Sequence, residues 1–226
     1  MSKRRILIFG ESENDTKALK EFIEALCDGF EGSVETRRRP LVLIKDARPE
    51  NVRSQAEQIA RVVAAETQVG PVICVFAHKD GDVVEPGHTA VATLIEQAVR
   101  GALRRLNVSS CSVHAVVPAW ELENWLLLWP SVLGSYVPSW RTPDEYKNRN
   151  VGKIENGKEV LRAAVRPPAD RSSKRGKSRT RVREYKESDA PGIVKAIREK
   201  GLIGSPDGTS RSYDRFVASV EECCAA

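Results

Sequence analysis

The strongest constraint on the fold is a fourfold alternation of apolar strands and amphipathic helices over the first 130 residues. Strands are predicted at 6–9, 34–44 (with the apolar run LVLI at 41–44), 72–76 and 112–117. Each is followed by apolar residues at helical spacing. Such alternation indicates a parallel sheet with right-handed crossovers. We therefore predict an α/β, Rossmann-like fold with a four-stranded, mostly parallel sheet and helices on both faces.

The chain changes character after residue 130. Prolines divide the remainder into short pieces, and helical patterns return only at 190–200 and 212–223. We predict an α/β domain over 1–130 and a small, mainly α-helical C-terminal appendage over 131–226, which contains a basic loop at 171–183.

The cysteines and the hydropathy bear on the cellular setting. No apolar run approaches the roughly 20 residues needed to cross a bilayer, so we predict no membrane partner. The 5 cysteines show neither C-x-x-C spacing nor the density of a disulfide scaffold. Reduced, buried thiols in a cytoplasmic protein fit this pattern best, and they argue against a zinc site.

Acidic side chains follow three of the predicted strands. Glu11 comes after the first strand, Asp80 and Asp82 after the third, and Glu121 and Glu123 just past the fourth. Ligands of open parallel sheets bind beyond the carboxyl ends of the strands, so these acids are expected in one crevice. Several carboxylates close together imply a cation or raised pKa values, and Mg²⁺ or Mn²⁺ would fit oxygen ligands.

Plainer interpretations of the same acids remain open. Asp and Gly are ordinary turn residues, so the D-G-D sequence at 80–82 can be a simple loop. Glu121 and Glu123 can simply begin a helix, where acids favour the helix dipole.

Basic side chains are concentrated at 171–183, a stretch without an acid. They are Arg171, Lys174, Arg175, Lys177, Arg179, Arg181 and Arg183. With a net charge of +5, a basic segment beside an acidic crevice suits a polyanion such as nucleic acid. Solvated loops have the same composition, so the charge alone leaves the partner open.

The order of these motifs resembles the Toprim domain of topoisomerases, DnaG-type primases and OLD-family nucleases. The stretch ESENDTKAL at 11–19 is similar to the first motif, with Ser12 in place of the usual glycine, and D-G-D at 80–82 is similar to the second. The segments E-L-E-N-W at 121–125 and Y-D-R-F-V at 213–217 resemble small single-chain Toprim-like proteins.

The resemblance implies magnesium- or manganese-dependent hydrolysis of phosphodiester bonds in nucleic acid, DNA in preference to RNA. It implies that Glu11 is a general acid or base or a metal ligand, and that Asp80 and Asp82 bind the metal. The expected catalytic residues are thus Glu11, Asp80, Asp82 and Glu123, and the expected metal ligands are Glu11, Asp80, Asp82 and Glu121. A role in defence or in a mobile-element system is also implied.

Two alternative functions remain at this point. A Toprim-like chain can hold nucleic acid or a partner protein without turnover. A phosphatase or nucleotide hydrolase on a related sheet has less support, because the sequence has no Walker-A loop. The apolar run at 125–129 is compatible with core packing and equally with an interface, so a homodimer or a partner protein stays open.

Overall fold

The computed structural model describes residues 3–27, 29–37, 48–168 and 183–225. Four strands form one sheet: β1 (Arg4–Phe9), β2 (Gly32–Arg37), β3 (Val72–His78) and β4 (Ser112–Val116). Their order across the sheet is β2-β1-β3-β4, and every neighbouring pair is parallel. The predicted α/β class with a four-stranded parallel sheet is confirmed, and the arrangement is consistent with a Rossmann-like fold.

Helices cover both faces of this sheet. In chain order they are α1 (Glu13–Leu26), α2 (Pro49–Val69), α3 (His88–Arg105), α4 (Leu122–Leu126), α5 (Pro130–Tyr136), α6 (Gly157–Ala164), α7 (Ala190–Glu199) and α8 (Arg211–Ala225). The predicted helices at 190–200 and 212–223 are confirmed as α7 and α8. The sequence at 120–129 also predicts one apolar helix, but α4 is shorter, because the chain turns after Leu126 and Pro130 begins a new helix, α5.

The strands alternate their side chains between two cores, as the twofold period of a strand requires. On one face, Leu7 of β1 and Val75 of β3 pack with the buried sides of α2 and α3. On the other face, Ile6 of β1 and Phe76 of β3 pack with α1 and with the C-terminal helices.

The second strand differs from the prediction. The structure places β2 at Gly32–Arg37, whereas the apolar run at 41–44 lies outside the described residues. Among the described strands β2 pairs only with β1, at one edge of the sheet, and Val34 is its single buried residue. Glu35 and Arg37 pair with each other on its partly exposed surface. A strand with so little apolar surface gives no hydrophobic run to detect.

The C-terminal region fills the core beside α1. Trp125 of α4 is fully buried against Phe22 of α1 and against Tyr213 and Phe216 of α8, with ring centroids 5.2–6.1 Å from its own. One hydrophobic cluster therefore contains side chains from both predicted regions, 1–130 and 131–226.

A buried polar network fixes the start of α8. Glu85 Oε1 accepts hydrogen bonds from Ser210 Oγ at 2.8 Å and from the Ser212 backbone N–H at 2.9 Å. Ser212 Oγ in turn accepts hydrogen bonds from Trp125 Nε1 at 2.9 Å and from the Ala119 backbone N–H at 3.1 Å. Since these groups are buried, each bond satisfies a polar atom that water does not reach.

The cysteines correct one prediction. Disulfides join Cys27 to Cys224 and Cys74 to Cys223, with Cα–Cα distances of 5.7 and 6.0 Å, and Cys111 is free. The expectation of reduced thiols is wrong for these four residues, and with it the cysteine-based argument for the cytoplasm. Sequence separations of 197 and 149 residues explain why spacing did not indicate the pairs. Among the described residues, no helix is long and apolar enough to cross a membrane.

Candidate functional site

The sheet has a topological switch point between β1 and β3. The helix after β1, α1, lies on one face, whereas the helices that precede and follow β3, α2 and α3, lie on the other. Chain connections therefore diverge at the carboxyl ends of these two neighbouring strands and leave a crevice there. Glu11 follows β1 into this crevice, and Asp80 follows β3.

The D-G-D turn after β3 is fixed by the segment after β4. The backbone N–H of Gly81 donates to Pro118 O at 3.1 Å, and that of Asp82 donates to Trp120 O at 3.0 Å. A side chain at position 81 would place its Cβ 2.5 Å from Pro118 O, so the approach of the two segments requires glycine. Asp82 itself has a φ of +49°, a conformation that Asp tolerates better than most residues.

Glu11 lies between β1 and a well-capped helix. Ser12, the N-cap of α1, accepts a hydrogen bond from the Asp15 N–H at 3.1 Å. Serine at position 12 therefore has a local role in beginning this helix. Burial raises the pKa of Glu11 from 4.5 to about 7, Lys79 opposes that rise, and Asp80 adds to it. Its Oε1 is buried and makes no hydrogen bond.

His78, the last residue of β3, and Lys79, the first residue after it, lie buried beside the acids. The Lys79 ammonium donates to Asp82 Oδ2 at 3.3 Å and lies 3.8 Å from Glu11 Oε1. His78 Nε2 lies 3.6 Å from Asp80 Oδ1. Burial lowers the pKa of His78, but the surrounding carboxylates, chiefly Asp80, outweigh it and raise the pKa above its ordinary value. Each acid of the turn thus has a basic neighbour.

Glu123 approaches the same turn from α4. The backbone N–H of Leu122, at the start of α4, donates to Asp80 Oδ1 at 3.2 Å and fixes the helix to the turn. Glu123 is 5% exposed. Burial first, and then the Asp80 charge, raise its pKa from 4.5 to about 7. Its Oε1 accepts a hydrogen bond from the buried Tyr185 hydroxyl at 3.1 Å.

Glu121 is oriented toward the C-terminal region. Its Oε2 accepts a hydrogen bond from the backbone N–H of Lys158, in the first turn of α6, at 2.8 Å. A carboxylate at this position is favoured by the positive end of the helix dipole. Burial raises the pKa of Glu121, and the Lys158 N–H and ammonium oppose the rise.

The structure thus brings Glu11, Asp80 and Asp82 around Lys79, with Glu123 beside Asp80. Glu121 lies at the edge and binds α6. In the part of the chain that the structure describes, these acids form no group of three with all ligand atoms within 4.8 Å of one another. Of the predicted nucleic-acid-binding residues, only Arg183 lies within the described residues, and it pairs with Asp189.

No protein-family model, curated protein or solved structure matches this chain. The function is therefore inferred from the residues of the crevice and from the motif resemblance.

The sequence did not show that four further residues are buried in the crevice or contact its acids. Lys79 and His78 adjoin the D-G-D motif, but nothing in their spacing shows that they are buried among its acids. Tyr185 and Lys158 come from the C-terminal region, 62 and 37 residues after the acids they contact. No local sequence pattern links such distant positions. The only available signals are the positive charge of Lys158 and the aromatic ring of Tyr185, which make both residues candidates for contact with an acidic crevice.

The raised pKa values of Glu11 and Glu123 predict a loss of stability as the pH rises. The unfolded chain releases both protons near pH 4.5, whereas the folded protein keeps them until about pH 7. Between these values the folded state binds more protons, so the free energy of unfolding falls with increasing pH and levels off above 7. With about 1.4 kcal/mol per pKa unit, a rise from 4.5 to about 7 corresponds to roughly 3.5 kcal/mol for each carboxyl group, so the two together set an upper bound of about 7 kcal/mol on the fall.

Urea denaturation in a chelator at pH 5, 6, 7 and 8 measures this effect. The double variant Glu11→Gln/Glu123→Gln should show a smaller decline than the wild type over this range. Glu155→Gln, at an exposed position of the C-terminal region, is the matched control and should follow the wild type. An equal decline of the unfolding free energy in the double variant would contradict the assignment of the bound protons to Glu11 and Glu123.

Proposed function

We propose that this chain is a metal-dependent nuclease that hydrolyses phosphodiester bonds of nucleic acid, DNA in preference to RNA. The observation that supports this most is the arrangement of Glu11, Asp80 and Glu123. They come from three separate segments, yet they meet at the switch point of a parallel sheet, where burial first and then the Asp80 charge raise the pKa of both glutamates. Together with the Toprim-like order of the motifs, this favours phosphoryl chemistry.

The donor set of the crevice fits a hard divalent cation. Glu11, Asp80 and Asp82 offer carboxylate oxygens, the ligands that Mg²⁺ and Mn²⁺ prefer. Glu11 Oε1, buried without a hydrogen-bond partner, is an oxygen that a cation would satisfy. Glu121 is a further candidate ligand at the edge. A bound divalent ion would polarise the phosphoryl group and offset the charge that develops on the leaving oxygen.

Glu123 is suited to proton transfer. A carboxyl group with a pKa of about 7 is distributed between its two protonation states near neutral pH, where general acid–base catalysis is most effective. The Tyr185 hydroxyl donates to Glu123 Oε1 and holds the carboxyl group in one orientation. We propose that Glu123 exchanges a proton with the attacking water or the leaving oxygen, and that Glu11 assists when it is not bound to metal.

The basic segment is proposed to hold the phosphate backbone. Replacing Lys174, Arg175 and Lys177 with glutamine is expected to weaken DNA binding. It should also reduce the slope of log K against log salt by about 2–3, because each phosphate contact on duplex DNA contributes roughly 0.9. Fluorescence anisotropy over a salt series measures both quantities.

A matched variant distinguishes phosphate contacts of the basic segment from a general effect of the protein's net charge. Replacing Arg53, Arg61 and Arg104 with glutamine removes the same charge from exposed positions on α2 and α3. This variant should keep the wild-type slope within about one unit. Equal losses in the two triple variants would show that the basic segment has no special role.

A second candidate function is a binding module without turnover. Lys79 favours it, because its ammonium already lies between the Asp82 and Glu11 carboxylates and offsets their charge. A chain of this kind would bind nucleic acid or a partner protein at the same crevice without a metal ion.

The deciding experiment is cleavage of supercoiled plasmid and of single-stranded oligonucleotides. We expect cutting with Mg²⁺ or Mn²⁺, none with a chelator, and loss of cutting in Glu11→Ala and Asp80→Ala with DNA binding retained. Wild-type protein that binds DNA as tightly as these variants and cuts nothing would favour the binding module.

The cellular setting is part of the same proposal. We propose a cytoplasmic defence or mobile-element role, as the motif resemblance implies. The two disulfides of the structure bear on this proposal, because thiols in the cytoplasm are kept reduced. In that compartment the four cysteines would be present as thiols.

A further inference from the structure

A second cluster of ligand atoms lies inside the core on the face covered by α8. It consists of Cys74 of β3, His114 of β4 and Cys223 of α8, all of them buried. One ligand atom from each lies within 4.8 Å of the other two. Since Cys74 precedes Asp80 by six positions along an extended strand, the cluster lies roughly 15–20 Å from the acidic crevice.

His114 contributes a nitrogen without a partner. The residue is 4% exposed, and its Nε2 is buried and makes no hydrogen bond. The ring is stacked on Phe76, with centroids 5.5 Å apart, so its orientation is fixed. A buried polar atom without a partner is rare in folded proteins and calls for a role.

The two sulfur atoms complete a soft donor set. In the structure Cys74 and Cys223 are joined as a disulfide, and neighbouring Cys224 is joined to Cys27. Reduction by a dithiol transfers two electrons and two protons to the Cys74–Cys223 bond, which gives two thiols and the oxidised form of the dithiol. Each thiol then loses one proton when it binds a metal ion.

We propose that the reduced protein binds one Zn²⁺ ion at Cys74, Cys223 and His114. Two thiolates and one neutral imidazole are ligands that zinc prefers, and they give the buried site a net charge of zero. Three protein ligands leave the fourth tetrahedral position for a water molecule. Disulfide and metal complex are then alternative states of the same two sulfur atoms. The sequence gives no C-x-x-C signal because the three ligands come from β3, β4 and α8.

Cobalt substitution tests the proposal without any assay of activity. The protein is reduced with a dithiol, transferred anaerobically into a phosphine reductant and titrated with Co²⁺. We expect one equivalent to bind, with thiolate-to-cobalt absorption in the near ultraviolet and tetrahedral bands in the visible. Zn²⁺ should displace it. The unreduced protein should show neither absorption.

Variants assign the ligands. Cys223→Ser and His114→Gln should each lower the Co²⁺ affinity by about tenfold or more, because loss of a direct ligand exceeds the usual effect of removing its supporting partners. Cys224→Ser and Cys111→Ser are matched controls and should bind as the wild type does. Circular dichroism of each reduced variant verifies that the protein is folded.

Two results would overturn the proposal. One is a folded, reduced wild type that binds no Co²⁺, and the other is a thiolate spectrum that persists unchanged in Cys223→Ser. The outcome is separate from the nuclease proposal, because Glu11→Ala and Asp80→Ala should keep the full thiolate spectrum whether or not the protein cleaves DNA.

Discussion

Replacing Asp80 with asparagine is expected to lower the rate of metal-dependent cleavage by about 100-fold to 1,000-fold, the usual loss for one group that stabilises developing charge. Asparagine keeps the shape of the side chain, and its amide oxygen can still accept the hydrogen bond from the Leu122 N–H. The substitution removes the negative charge that a metal ion requires. Plasmid cleavage at saturating Mg²⁺, together with DNA binding by anisotropy, measures the effect.

The control is an Asp-to-Asn substitution at a position outside the crevice. Asp207→Asn changes an exposed residue of the C-terminal region and should cleave as the wild type does. Asp80→Asn should unfold at a urea concentration close to that of the wild type. A folded Asp80→Asn that cleaves within about threefold of the wild type, far short of the usual loss, would exclude Asp80 from the reaction.

Replacing Trp125 with alanine is expected to lower the free energy of unfolding by roughly 3–5 kcal/mol, as for other large aromatic side chains in cores. Trp125 is fully buried, packs against Phe22, Tyr213 and Phe216, and donates a hydrogen bond to Ser212 Oγ. Because these partners belong to α1 and α8, the cavity would weaken both predicted regions at once. Urea denaturation followed by circular dichroism measures the loss.

Two further variants calibrate this result. Trp125→Phe keeps an aromatic ring but loses the hydrogen bond to Ser212, so a smaller loss of about 1–2 kcal/mol is expected. Leu106→Ala, at a position that is 42% exposed, should change stability by less than about 0.5 kcal/mol. A loss below 1 kcal/mol in Trp125→Ala would show that the aromatic cluster is not the common core of the two regions.

Three of the four strands could be predicted because most of their residues are buried. The apolar runs at 6–9, 72–76 and 112–117 correspond to β1, β3 and β4. β2 could not be found in this way, because GSVETR at the edge of the sheet has only Val34 in the core. Short helices such as α6 were also missed, since eight residues give too few turns for a clear periodicity.

The acids of the crevice were identified from their positions after the strands. Parallel strands bring their carboxyl ends to one edge, so the order along the chain was sufficient to predict that Glu11 and Asp80 would be neighbours. The burial of Lys79 among them was not predictable, because it depends on the path of one turn. Tyr185 and the disulfide partners depend on how the C-terminal region folds back, which spacing does not reveal.

The aromatic cluster has a consequence for synthesis on the ribosome. Phe22 and Trp125 leave the ribosome well before Tyr213 and Phe216, the residues that cover them. At roughly 5–20 residues per second, the face of the sheet beneath α8 stays open for several seconds after Trp125 has been made. The nascent chain therefore presents a large apolar surface until α8 is complete, and during that interval it is a natural substrate for chaperones that bind exposed hydrophobic segments.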